Sequence, residues 1–204
     1  MAQSQEVHVI PLPRPDLGAA ASLQRAFEER RSTREFAKTA LPLTKAASLL
    51  WAAQGPTGTG HRTNPSAGAT YPLETYLVAG AVEGLAPGLY RYRSQGHALE
   101  QVSARDLRAD LVPAAAGQEF LREAPCAIAI AAVLERTSHK YGARARRYVD
   151  MEVGAVTQSV HLAAAALGLG TVIVGAFEDA AVKRVLGLPA DEEPLALMAI
   201  GSPK

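Results

Sequence analysis

The stretch from Val153 to Phe177 contains no Asp, Glu, Lys or Arg, and no other segment restricts the fold as much. A membrane span needs about 20 apolar residues, so a crossing has to be considered. Gln158, Ser159 and His161 lie inside the stretch and Gly168-Leu-Gly170 breaks it, so it reads instead as a buried helix followed by a buried strand. Val149, Val153, Val156, Val160, Ala163 and Leu167 are spaced 4, 3, 4, 3 and 4 apart and fall on one helical stripe. The other faces are rich in Ala and Gly, which lets neighbours approach on several sides. Such a helix belongs in the middle of a fold or at a subunit interface.

With 204 residues and an apolar fraction of 48%, the chain can bury one proper core and does not require two domains. Lys and Arg total 21 against 20 for Asp and Glu. That balance gives no reason to expect a nucleic-acid or membrane partner. The N-terminus lacks a basic segment followed by a long apolar one, so secretion is not expected and a cytoplasmic location is. Cys126 is alone and lies in the apolar run Ala124–Val133, which predicts a buried strand and a structural thiol. With no H-E-x-x-H and a solitary cysteine, no metal site is expected.

Pro11, Pro13 and Pro15 predict an extended arm over residues 1–18, without a core of its own and able to wrap a second subunit. Residues 19–204 form a single domain. Within it, helices are predicted at 19–31, from Pro42-Leu-Thr44 to Gly55, and at 104–118, besides the long helix. Strands are predicted at 75–81, 88–93, 98–102, around Cys126, at 171–174 and at 195–200. The order is α+β, without regular β-α-β alternation.

Three segments could carry chemistry. In Arg30-Arg31-Ser32-Thr33-Arg34-Glu35-Phe36, three guanidiniums fall within five residues. Their planar forks suit a phosphate, to which a serine hydroxyl adds a hydrogen bond; a solvated helix end accounts for them equally well. The long loop from Gly55 to Pro72 opens with Gly55-Pro-Thr-Gly-Thr-Gly60-His61-Arg62, a near match to a P-loop. His61 and Arg62 replace the lysine and hydroxyl that the pattern needs, so a P-loop nucleotidase is rejected. Its second half, Asn64-Pro-Ser-Ala-Gly-Ala-Thr-Tyr-Pro-Leu-Glu74, offers small side chains over which a flat ring could lie. It is no serine-hydrolase elbow, because Asn64 stands where G-x-S-x-G needs glycine. The third is the basic stretch from Arg136 to Arg147, most simply a solvated helix start. In the long helix, Glu152, Gln158 and Ser159 would be costly if buried unpaired.

Five blocks together are more specific than any one: Arg30-Arg31-Ser32-x-Arg34-x-Phe36, Leu50-Trp-Ala-Ala-Gln-Gly55, Pro65-Ser-Ala-Gly-Ala-Thr-Tyr-Pro-Leu-Glu74, Gly88-Leu-Tyr90 and Leu167-Gly-Leu-Gly170. In this order the chain resembles nitroreductase-like flavoproteins, and within them the SagB-type branch that includes azoline dehydrogenases. The resemblance implies an α+β, nitroreductase-like fold with a central, mostly antiparallel sheet flanked by helices, in an intertwined homodimer with FMN at the interface. It implies that Arg30, Arg31, Ser32 and Arg34 hold the phosphate and ribityl chain. Pro65, Ser66, Ala67 and Gly68 would line the ring from the other subunit, and Val174 and Gly175 would offer backbone amides near N5. Lys140-Tyr141 match a pair implicated in proton removal in azoline dehydrogenases, where a desolvated lysine would act as base. Small-molecule donors and acceptors are expected, with NAD(P)H a candidate donor; the alternative is a flavin carrier without turnover. The chain departs from relatives that place a basic residue in the closing segment, here Gly201-Ser-Pro-Lys204, and it lacks the peptide-binding domain of some azoline oxidases.

Overall fold

The structure, a computed structural model, describes residues 8–17, 22–58 and 60–204. The arm before His8 and the expected helix start at 19–21 lie outside the described residues.

Seven strands form one antiparallel sheet: β1 (Val9–Pro11), β3 (Leu73–Ala79), β5 (Gly88–Arg93), β6 (Ala98–Ser103), β7 (Cys126–Ala132), β8 (Gly170–Val174) and β9 (Glu193–Gly201). Their spatial order is β1-β6-β5-β3-β7-β9-β8. Two short strands, β2 (Leu41–Pro42) and β4 (Val82–Glu83), pair in parallel to one side. The central strand β7 is buried along its whole length. Its alternation sends Cys126, Ile128, Ile130 and Ala132 to one face and Ala127, Ala129 and Ala131 to the other.

The first face packs against α2 (Leu43–Gln54) and α6 (Ala145–Ala166), with α1 (Leu23–Glu29) laid on α6. The second packs against α3 (Arg108–Ala114), α4 (Phe120–Glu123) and α7 (Asp179–Leu186). Through α6 runs the stripe expected from its spacing: Val149, Val156, Val160 and Ala163 are buried, and Val153 and Leu167 sit at its margin. No helix among the described residues is long and apolar enough to cross a membrane. Cys126 is fully buried and free, and burial pushes its thiol up to about 12, so it stays an inert thiol.

Several expectations change. The proline-rich arm has a place on its own chain: β1 pairs with β6, and Ile10, Leu12 and Leu17 pack against the core. The helix expected at 104–118 covers only 108–114. Asp106 accepts the Arg108 N–H and guanidinium and holds the entry as a turn, while left-handed Ala116 and Gly117 end the helix. The basic stretch is a separate helix, α5 (Glu135–Tyr141), joined to α6 by a single 3-10 turn at Gly142–Arg144. Helices α4 and α7 were not expected at all.

Candidate functional site

The arginine segment is strapped onto the outer edge of the sheet. After α1 ends, Arg30 turns extended, Ser32 bridges Thr171 of edge strand β8, and the Thr33 N–H donates to the Thr171 carbonyl at 3.0 Å. Phe36, buried, bridges Pro203, and the Lys204 N–H donates to the Glu35 carbonyl, so the chain's last residues lie beside the segment. The strap passes so close to β8 that a Cβ on Gly170 would sit 2.5 Å from Thr33 Oγ1. Glycine there is a packing requirement.

Arg31, Ser32 and Arg34 of the strap are exposed and Arg30 is half-buried. Arg31 donates to the carbonyls of Glu28 and Arg30, whereas Arg30 and Arg34 have no carboxylate within salt-bridge distance among the described residues. Beside Arg30 lies His161 of α6, buried, with Nδ1 lacking a partner; burial and then the Arg30 charge hold its pKa below the ordinary value. Val174 is buried at the last rung of β8, and Gly175 is exposed just past it. The strap and the end of β8 therefore share one sheet edge.

The small-residue loop lies elsewhere, against the first half of α6. Asn64, buried, donates Nδ2 to the carbonyls of Ala52 and Ala53, both at 2.7 Å, capping α2, and accepts from Ser159 Oγ at 2.6 Å. Ser66 Oγ accepts the Tyr71 N–H, and Thr70 Oγ1 meets buried Thr137 Oγ1 of α5 at 2.9 Å. Arg62 lies over the Tyr71 ring and Arg136 donates to the Tyr71 carbonyl. These ties hold three left-handed residues, Gly68, Ala69 and Tyr71. Two of the three carry a Cβ, a conformation that costs about 1–2 kcal/mol each and persists only where the surroundings impose it.

Lys140 and Tyr141 converge on this loop. A Cβ on Gly68 would stand 2.6 Å from both Lys140 Nζ and Tyr141 Oη, and Lys140 Nζ reaches the Gly68 carbonyl at 3.5 Å. Tyr141 meets Tyr148 edge to face. Lys140 is exposed in the single chain, so the desolvation expected of it is absent there. A hollow of about 270 Å³ opens between Pro65, Ser66 and Ala67 on one side and Tyr148, Met151 and Glu152 on the other. Glu152 is buried at its base, and burial raises its pKa while Ser66, Arg62 and Gln54 oppose the rise. Its Oε1 accepts no hydrogen bond. Of the other polar groups expected on this helix, Gln158 is exposed and Ser159 is satisfied by Asn64.

One chain therefore brings Lys140 and Tyr141 to Pro65–Gly68, and Ser32 to β8, but does not join the two groups. The loop hollow uses Met151 and Glu152, whereas Arg30 acts on His161 and α1 packs near Ala165 and Ala166. At 1.5 Å per residue, Met151 and Ala166 stand about 22 Å apart along α6.

The resemblances follow this geometry. The Nitroreductase family model matches residues 27–202, from α1 to the segment beside the strap. The chain belongs to the nitroreductase family. A Methanocaldococcus jannaschii protein named as a nitroreductase is 43% identical over 180 residues, covering 88% of this chain and 90% of that one. A nitroreductase crystal structure from Ralstonia eutropha superposes with TM-score 0.84 at 32% identity, over 96% of this chain and 90% of the other. The Escherichia coli microcin synthetase McbBCD complex with truncated pro-MccB17 bound contains a chain that superposes with TM-score 0.76 at 26% identity, over 95% of this chain and 77% of its own. Membership in the nitroreductase family supports an oxidoreductase and establishes the α+β fold read from the sequence. His161 and Glu152 were not among the expected site residues. The only signal for His161 was a polar side chain inside a stretch otherwise apolar, and for Glu152 its place on a helix expected to be buried.

Proposed function

We propose that this nitroreductase-family protein is an FMN-dependent oxidoreductase of the SagB type, acting as a homodimer that holds the flavin non-covalently where two chains meet. The strap on the edge of β8 carries the reading. Arg30 and Arg34, without carboxylate partners among the described residues, mark one end of the edge, and the backbone of Val174 and Gly175 marks the other. At about 3.3 Å per residue, Thr171 and Gly175 lie about 13 Å apart, room for a phosphate, a sugar-alcohol chain and the edge of a flat ring.

On this reading Arg30, Arg31 and Arg34 grip the phosphate and Ser32 adds a hydrogen bond. Lys204, pinned beside Glu35, supplies the closing basic residue. Bound there, FMN would supply two-electron chemistry between a donor, either NAD(P)H or an azoline-type compound, and a small-molecule acceptor. Lys140 and Tyr141, which lie over Gly68, would take the proton from the carbon adjacent to the one that gives up hydride.

The second chain follows from α6. Met151, Gly154, Ala155, Gln158, Leu162 and Ala165 form a partly or fully exposed stripe on the side away from the sheet, and exposed Leu23 and Phe27 of α1 extend the apolar surface. Small residues let a second helix come close, and a two-fold axis across antiparallel copies of α6 sets the first half of one against the second half of the other. Pro65, Ser66, Ala67 and Gly68 of one copy then face the strap of its mate. The ring and the second chain would also remove water from Lys140.

Purified protein should be yellow, dimeric by analytical ultracentrifugation, and release one FMN per chain. The double variant R30A/R34A should stay folded and lose flavin by at least about a hundredfold in affinity, tenfold for each charge-assisted contact. Anaerobic NADH or NADPH should bleach the flavin band; absence of bleaching by any donor would leave a carrier. A colourless monomer that stays colourless with added FMN would overturn the proposal. K140A should retain flavin and lose azoline oxidation.

A further inference from the structure

Beside Arg62 of the loop, strands β3 and β5 part company. Their ladder runs from Ala79↔Gly88 to Tyr76↔Arg91 and stops, although β3 continues on β7 down to Leu73 and β5 continues on β6 up to Arg93. A cavity of about 410 Å³ fills the gap. Four guanidiniums line it, those of Arg62, Arg91, Arg93 and Arg136, with one carboxylate, Glu74. Glu74 is already bridged by Arg91 at 3.0 Å and Arg136 at 2.6 Å. Glu192 and Glu100 take shares of Arg91 and Arg93 from behind.

Two observations point to a missing ligand. Gln54 and Thr75 both line the cavity, both are only 2% exposed, and neither Gln54 Nε2 nor Thr75 Oγ1 makes a hydrogen bond. Arg62 Nη1 donates to Gln54 Oε1 at 2.8 Å, which orients the amide so that Nε2 is the remaining donor; it lies close enough to Glu152 to lower that carboxyl's pKa but makes no well-formed hydrogen bond. A buried donor left unsatisfied destabilises the fold unless a ligand accepts from it. Arg62 itself makes no salt bridge among the described residues, and its burial lowers its pKa, as for a cation stripped of water.

We propose that this cavity is a binding site for a small organic acid, its carboxylate or phosphate held by Arg62 and Arg93 with Gln54 Nε2 and Thr75 Oγ1 as neutral donors. The site is separate from the strap and does not depend on flavin. It abuts the chemistry through α5: Arg136 lines it and Lys140 follows one helical turn later, while Arg62 stacks on Tyr71 of the loop under Lys140. Its occupant therefore braces the loop and helix that carry Lys140 and Tyr141.

The test is calorimetric titration of the purified protein, in a low-salt amine buffer, with inorganic phosphate in one arm and citrate in the other. Saturable binding of either, one per chain and with Kd of about a millimolar or tighter, is expected, and the arm that binds identifies the acid group. R62Q and R93Q should each weaken it about tenfold or more, with flavin content and melting temperature unchanged in at least one of them. Failure of both anions to bind, or equal binding by wild type and both variants, would overturn the proposal. Flavin content is read on the same samples, so loss of the anion site and loss of the flavin site are told apart.

Discussion

Gly68→Ala tests whether the loop's geometry serves Lys140 and Tyr141. Gly68 has φ 59°, so an alanine pays the left-handed penalty of about 1–2 kcal/mol. The new methyl would also meet Lys140 Nζ and Tyr141 Oη at 2.6 Å and Lys140 Cδ at 2.9 Å. These are outer atoms of flexible side chains, so they can swing aside at little further cost. The Lys140 contact to the Gly68 carbonyl is long, at 3.5 Å, and adds little. The sum is a loss of about 1–2 kcal/mol, which in a protein of this size lowers Tm by about 2–8 °C. Catalysis should suffer far more. Moving the two tips by about 1 Å should cut kcat about a hundredfold, since misplacement on that scale is enough to spoil an aligned proton transfer. Thermal melts and steady-state turnover on flavin-replete protein measure the two effects separately. A variant that melts a few degrees lower yet turns over at the wild-type rate would refute a catalytic role for the pair.

Three further outcomes follow from contacts already described. Gly170→Ala should push Thr33 off β8, costing about 1–3 kcal/mol of stability and lowering FMN affinity; adding Thr33→Gly should recover most of both losses, as read by melting and by flavin titration. Asn64→Ala strips the α2 cap and strands Ser159, so chemical denaturation should register about 2–4 kcal/mol, and the loss in a double variant with Ser159→Ala should be less than additive. Glu152 has a folded-state pKa raised by burial, so the folded state binds more protons than the unfolded state above about pH 4.3. Wild-type stability should therefore fall relative to Glu152→Gln as pH rises from that value, and denaturant melts at pH 4.5 and 7 that diverge in the opposite sense would exclude this.

Where a signal is local, the sequence carried it. The Val-Ala stripe of α6 gave a buried helix because a spacing of 3 and 4 allows nothing else to be amphipathic in that way. The Cys126 run gave the central strand for the same kind of reason. Helix α7 was not expected, although Glu178 and Asp179 at its start, Lys183 and Arg184 in its last turn and Gly187 as a left-handed stop are ordinary helix punctuation. At eight residues it is too short for periodicity alone to announce it. Helix α3 was overcalled because a loop of Ala and Leu looks helical until Asp106 and Arg108 pair across its entry.

The site divides in the same manner. Residue type and order along the chain were enough to mark the arginine segment, the small-residue loop and Lys140-Tyr141 as groups worth following, because guanidinium forks, bare backbone and a paired base are chemical properties of the residues themselves. What they face could be decided only by the folded chain. The strap's approach to Gly170, the convergence of Lys140 and Tyr141 on Gly68, and the cavity where β3 leaves β5 each join residues far apart in sequence. Such contacts depend on how strands are ordered and how closely layers pack, and no spacing along a single chain encodes either.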